Sequence, residues 1–162
     1  DEALFERGDS APQTYPVQAG DVRRGSHLML KGHPCRCTDV SSSKTGKHGH
    51  AKAHIMAVDV FTGKKYEDVF PSSHYLDVPY VRRLEYQVLN VDPETGEVSL
   101  LHESGSTKDD MNLPTFAKAS EQTDDDRRLQ RDIVEAFELG KTVVVAVVSA
   151  CGEERMVDMK AL

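Results

Sequence analysis

Two small β-barrels, in a mainly β chain, are what this sequence predicts, and three observations carry that expectation. Short runs with strand-like alternation recur along most of the chain, separated by Gly, Pro, Asn and Asp turn signals. A single late segment reads as a convincing helix. Formal charge divides near residue 84. From Tyr15 to Arg83 eleven basic residues stand against six acidic ones, and from Leu84 to Leu162 eight stand against seventeen. Two stretches of such different charge are expected to be two units, the first facing something anionic. A length of 162 residues allows two small domains, and 38% hydrophobic residues with no Trp make each core modest.

Residues 1–14 read as a disordered acidic tail. "HLMLKGHPCRCTDV" then predicts two strands joined at Gly32-His33-Pro34. "AHIMAVDVF" alternates, with Met56, Val58 and Val60 expected on one face. "TGKK", Thr62 to Lys65, is a hairpin turn, and "YEDVF" follows as a strand. The segment Ser41 to His54 therefore falls between strands, as a hairpin loop or its splayed tip. "DVPYVRRLEYQVLNV" carries Pro79 and the pair Arg82-Arg83, which places the boundary between units 15–83 and 84–162. Beyond it "YQVLNV", the turn "DPETG" and "EVSLL" form a second hairpin. In "DDDRRLQRDIVEAFELG" Leu129, Ile133, Val134 and Phe137 recur at helical spacing. Asp124 to Asp126 stand at the positive end as a solvated cap, and Gly140 closes the helix. "TVVVAVVSA" reads as a buried strand and "ERMVDMKAL" as an edge strand. A helix inserted among five strands is the make-up of an OB-fold. The first unit, without a helix, fits an SH3-like barrel.

Several function classes fall away. Cys35, Cys37 and Cys151 are odd in number and not spaced as a zinc knuckle, so they are expected to be reduced strand residues. The longest apolar run, Val143 to Val148, is too short to cross a bilayer, and the polar N-terminal stretch does not read as a signal peptide. The expectation is a soluble protein of the cytoplasm, with the nucleus as a second compartment, and no membrane partner. Gly46-Lys47 is followed by His48 and Gly63-Lys64 by Lys65, so neither is a P-loop. No nucleophile elbow or paired-acid setting occurs, and the residues offer no catalytic constellation.

"SSSKTGKHGHAKAH", Ser41 to His54, holds three lysines, three histidines and no acid in a chain of net charge -7. His48, His50 and His54 could face one way on a strand, but the flanking Lys44, Lys47 and Lys52 repel a dication, so no metal is expected. Gly46 and Gly49 bracket Lys47-His48, reach positive φ readily and leave no side chain to block approach. Taken alone, these residues leave two readings open: a lysine presented to an enclosing partner, or a solvated basic turn.

The stretch "SKTGKHGHAK" (Ser43 to Lys52), together with "LKGHPC" (Leu30 to Cys35), "FTGKKYED" (Phe61 to Asp68) and "DVP" (Asp77 to Pro79), resembles the hypusine-containing translation factors, the eukaryotic initiation factor five-A family. The resemblance runs from about Phe5 to Leu162 and is strongest in the first half. It implies an N-terminal SH3-like barrel and a C-terminal OB-fold. It also implies that Lys47 becomes hypusine, with an aminobutyl group from spermidine and no other cofactor. Deoxyhypusine synthase and deoxyhypusine hydroxylase would then be partners. Lys44, Thr45, Gly46, His48, Gly49, His50 and Lys52 would support the modification and contact tRNA. The implied function is in elongation and termination: binding the ribosome near its exit site, positioning peptidyl-tRNA and relieving stalling, notably at polyproline. The alternative is an RNA-binding module with an unmodified basic loop. The acidity between Glu103 and Asp126, and Cys37 before the loop, depart from the family pattern.

Overall fold

The computed structural model describes residues 13–44, 46, 49–116 and 123–162. Of the expected acidic tail, residues 1–12 lie outside them. Two compact units are present: one up to Val81 with Ala150–Gly152, the other Arg82–Ser149 with Glu153–Leu162.

The first unit is an SH3-like barrel of six strands: β1 (Thr14–Gln18), β2 (His27–Leu30), β3 (His33–Lys44), β4 (Ala51–Asp59), β5 (Lys65–Pro71) and β6 (Tyr75–Pro79). Strands β2-β3-β4-β5 form one antiparallel sheet in chain order, and β1 pairs with β6 as a separate ribbon. Leu28, Leu30, Cys35, Cys37, Ala53, Ile55, Ala57 and Leu76 fill the core. The hairpin between β2 and β3 differs from expectation. Its turn is Lys31-Gly32, both at positive φ (52° and 83°), and His33 and Pro34 already belong to β3. Two left-handed residues match the twist of the flanking strands, which is the geometry two-residue hairpins favour.

Met56 and Val58 share one side of β4 as expected, and it is the side away from the core. Ala53, Ile55, Ala57 and Asp59 point inward, and Met56 is 39% exposed. Period two fixes only that one set is inside, not which. Asp59 can be buried because its carboxylate is fully used. Oδ1 accepts from the backbone N–H groups of Phe61 (2.7 Å) and Thr62 (3.2 Å), and Oδ2 faces His33 Nδ1 at 3.3 Å.

The second unit is an OB-fold: β7 (Arg82–Val91), β8 (Glu97–His102), β9 (Thr107–Asn112), α1 (Asp124–Glu138), β10 (Val143–Ala150) and β11 (Glu153–Ala161). The sheet order β11-β10-β7-β8-β9 puts β10 inside and β11 at an edge. Val88, Val98, Leu100, Leu113, Ile133, Val143, Val145 and Val147 make its core, with Leu129, Val134 and Phe137 of α1 packed against it. The aspartate run is not simply solvated. Thr123 caps α1 and Asp126 returns the bond, a reciprocal capping box, while Arg155, buried on β11, reaches Asp126 at 3.9 Å and Glu153 at 2.7 Å. Lys108 on edge strand β9 bonds Asp110 (2.9 Å) and, across to β11, Glu154 (3.0 Å). Burial works against the Lys108 ammonium, but those two carboxylates outweigh it and hold its pKa above the ordinary lysine value.

Cys35 and Cys37 are buried on β3 as expected, but Cys151 lies in the β10–β11 turn, not in a strand. Its φ of 53° beside Gly152 is that of a tight turn residue. No helix among the described residues is long and apolar enough to cross a membrane.

Candidate functional site

Beyond Arg36, β3 has left β2 behind and has β4 as its only ladder partner. The two strands continue as a hairpin through Ser41↔His54, Ser42↔Ala53, Ser43↔Lys52 and Lys44↔Ala51. Eight residues of the segment expected as a loop are therefore paired strand, and the connection itself is 45–50. The serines explain this. Ser41 to Lys44 are all exposed, so they need no core to satisfy them, and their backbone groups take the ladder bonds that water would otherwise take. The core ends at Ala53, fully buried; outward from it the arms carry Ser, Lys and Ala.

The base of this hairpin is held from β5. The β4–β5 ladder ends at Lys52↔Pro71, and the Ser72 N–H donates to the Ala51 carbonyl at 2.9 Å. Ser72 in turn accepts from the Gly20 N–H at 2.9 Å, and a side chain at Gly20 would press on Ser72 at 3.1 Å. Glu67 Oε2 lies 2.7 Å from His54 Nε2, so His54 is tied across the sheet. Ser72 and Glu67 support the site and were not singled out in the sequence. Glu67 lies diagonal to His54, next to its direct partner Val69, a relation that only the strand register reveals.

Lys44 and Lys52 stand exposed on opposite arms, and His50 is exposed between them. Gly46 has φ 69° with open space where a side chain would be, and the Gly49 N–H donates to the Gly46 carbonyl at 3.4 Å. Thr45, Lys47 and His48 lie outside the described residues. Among the described residues no group of three His, Cys, Asp or Glu is placed to hold a metal. The nearby thiols offer no nucleophile. Burial, then the Asp59 charge, pushes Cys35 up to about 12, and burial also raises Cys37. What the arrangement offers is a cationic, acid-free tip on a braced two-stranded stalk.

Residues 12–74 match a family model described as translation initiation factor 5A-like, N-terminal. Residues 80–160 match one described as eukaryotic elongation factor 5A hypusine, DNA-binding OB fold. The chain belongs to the translation factor 5A family. It is 51% identical over 99% of its length to eukaryotic translation initiation factor 5A-3 of Arabidopsis thaliana, covering 95% of that protein. Against eukaryotic translation initiation factor 5A-1 of Solanum lycopersicum identity is 49%, over 93% of this chain and 87% of that one. Among solved structures, a 5A family protein from Naegleria fowleri superposes with TM-score 0.81 at 48% identity, covering 92% of this chain and 99% of that one. The Methanococcus jannaschii 5A factor gives 0.59 at 25% identity, over 92% and 96%. The chain is thus a translation factor of the 5A family and not an enzyme.

The family assignment bears on both units. The acidic run that departs from the family pattern is in part the capping box of α1, with residues 117–122 outside the described set. Cys37 occupies a fully buried position next to a bulge in β3, where a small apolar group fits.

Proposed function

We propose that Lys47 is the residue this 5A family member carries as hypusine, and that the modified side chain acts on peptidyl-tRNA at the ribosome. In this reading deoxyhypusine synthase transfers the aminobutyl group of spermidine to the Lys47 amine, and deoxyhypusine hydroxylase adds the hydroxyl. Only a neutral amine is a competent nucleophile, and desolvation in an enzyme pocket favours that form. The factor then binds near the ribosomal exit site, in elongation and termination, and relieves stalling, notably at polyproline. Its contribution is positional: holding a mobile tRNA end in reactive geometry lowers an entropic barrier.

The observation that carries this reading is the stalk. Pairing of β3 with β4 runs out to Lys44↔Ala51, past the core residue Ala53, and leaves Lys44 and Lys52 exposed for phosphate contacts. The decamer Ser43 to Lys52 and the family description naming hypusine support the choice of Lys47.

Two measurements test it. Intact mass of the protein from its native cell should exceed the sequence mass by one hypusine addition. In cells depleted of the native factor, Lys47→Arg should fail to support translation of a polyproline reporter, with the fold unchanged by circular dichroism. Lys52→Arg, which keeps the charge, should only weaken it. Full rescue by Lys47→Arg would replace this reading with a simple basic loop, because a guanidinium cannot be extended by the synthase.

A further inference from the structure

Strand β5 ends the four-stranded sheet, and its composition invites further pairing. Tyr66, Val69 and Phe70 favour extended backbone, and Val69 is 52% exposed. The ladder decides which of its backbone groups face outward. The Asp59 N–H donates to the Lys64 carbonyl and the Ser72 N–H to the Ala51 carbonyl, each at 2.9 Å. Bonded pairs alternate in an antiparallel ladder. In this register Tyr66, Asp68 and Phe70 therefore bond β4, and Lys65, Glu67, Val69 and Pro71 turn their backbone groups away from it. Two of those outward positions offer no donor. The Val69 N–H is taken at 2.8 Å by Oδ1 of its own neighbour Asp68, and Pro71 has no N–H. The other two, Lys65 and Glu67, carry charged side chains.

The same bond recurs at other free edges. β11 ends the five-stranded sheet, and its Met159 N–H donates to Asp158 Oδ1 at 2.9 Å. β3 has no β2 partner beyond Arg36, and its Val40 N–H donates to Asp39 Oδ1 at 3.0 Å. Farther out on that edge, exposed Lys44 supplies charge. β9, the remaining edge of the five-stranded sheet, carries Lys108, Asp109 and Asp110 and slips register against β8.

We propose that Asp68 with Pro71, Asp158 and Asp39 are edge guards, which keep β5, β11 and β3 from taking up a strand of a second copy of this chain. An unpaired donor on a sheet edge is a template for an incoming strand. Here the donor is already satisfied by an adjacent side chain, so an incoming carbonyl gains only by breaking that bond. The incoming oxygen also meets a carboxylate, which repels it. None of these residues lies in the lysine loop, and the guards act whether or not Lys47 is modified.

The test is light scattering behind size exclusion, with the full chain at a series of protein concentrations. Asp68→Val/Pro71→Val restores two outward donors and should self-associate roughly 10-fold more tightly than the unmutated chain, or more. In the associated form amide exchange should slow at Lys65, Glu67 and Val69. Asp68→Asn keeps an Oδ1 acceptor and should associate no more than the unmutated chain. Asp158→Val, in the other unit, should gain association of its own. Circular dichroism checks the fold, and Asp158→Val decides the matter if the β5 double variant does not fold. Unchanged association of the Val variants overturns the guards. So does equal association of Lys65→Val, which adds apolar surface to the same strand but leaves Asp68 and Pro71 in place. Association of Asp68→Asn as strong as that of the double variant overturns the hydrogen-bonded guard and leaves charge alone as the cause.

Discussion

Gly96 shows how a single backbone angle is enforced. Its φ is 82°, and a Cβ there would sit 2.3 Å from the Phe116 ring. Gly25, at φ 91°, has open space around the same position. Gly25→Ala should therefore cost about 1–2 kcal/mol, the left-handed conformational term, and Gly96→Ala clearly more, because Phe116 must move as well; denaturant midpoints of the two variants check the order. The thiols give a second expectation. With Cys35 pushed up to about 12 and Cys37 raised by burial, alkylation at pH 8 should reach both only on unfolding, whereas exposed Cys151 reacts in the native protein. Mass spectrometry of pulse-labelled protein reads this out. His27 adds a pH dependence. Burial, then the Arg36 charge, lowers its pKa from the ordinary 6.5. The unfolded chain then binds the proton more readily, so this contribution to stability is present above about pH 6.5 and is lost as pH falls through the lower folded value. His27→Gln should flatten the fall in denaturant midpoint between neutral pH and pH 5 relative to the unmutated chain.

At the scale of elements, the stalk and α1 carry the clearest expectations. Amide exchange should slow along β4 from the tip inward. Ala51 should exchange fastest, Ala53 next and Ile55 slowest, and Gly46, Gly49 and His50 should exchange faster than any of them, since apolar burial begins only at Ala53. Protection of Gly46 equal to that of Ile55 would contradict a solvent-facing tip. Thr123→Ala should cost about 1 kcal/mol by removing the cap, and the loss would be larger if Asp126, freed from the box, also slackens its contact with Arg155. The periodicity of Leu129, Ile133 and Phe137 made the helix legible, as Gly63 and Gly96 did the turns. The inward face of β4 was not, because Met56 and Val58 are more hydrophobic than Ala53 and Ala57, and packing space, which favours small residues there, leaves no mark on hydrophobicity. The capping box was hidden for another reason: three adjacent aspartates look alike until register singles out Asp126.

For the whole molecule, the division of charge was the most informative feature of the sequence, because it separates units whose interiors are equally apolar. The basic decamer pointed to the tip, whereas Ser72 and Glu67, which brace it, come from β5 and its following turn and become neighbours only through pairing. We expect the first barrel, Tyr15 to Arg83, to unfold cooperatively alone but with marginal stability, since domains of roughly 70 residues bury a limited share of their surface. A chain ending at Arg83 with no cooperative transition would move the boundary. The Lys31-Gly32 turn has a consequence for engineering. Asparagine suits a φ of 52° better than lysine, by up to about 1 kcal/mol. Lys31→Asn should therefore raise the thermal midpoint, which a melting curve of the two proteins checks. A library selected for heat resistance alone would drift toward asparagine there, so this exposed turn is a place where durability can be gained without repacking the core.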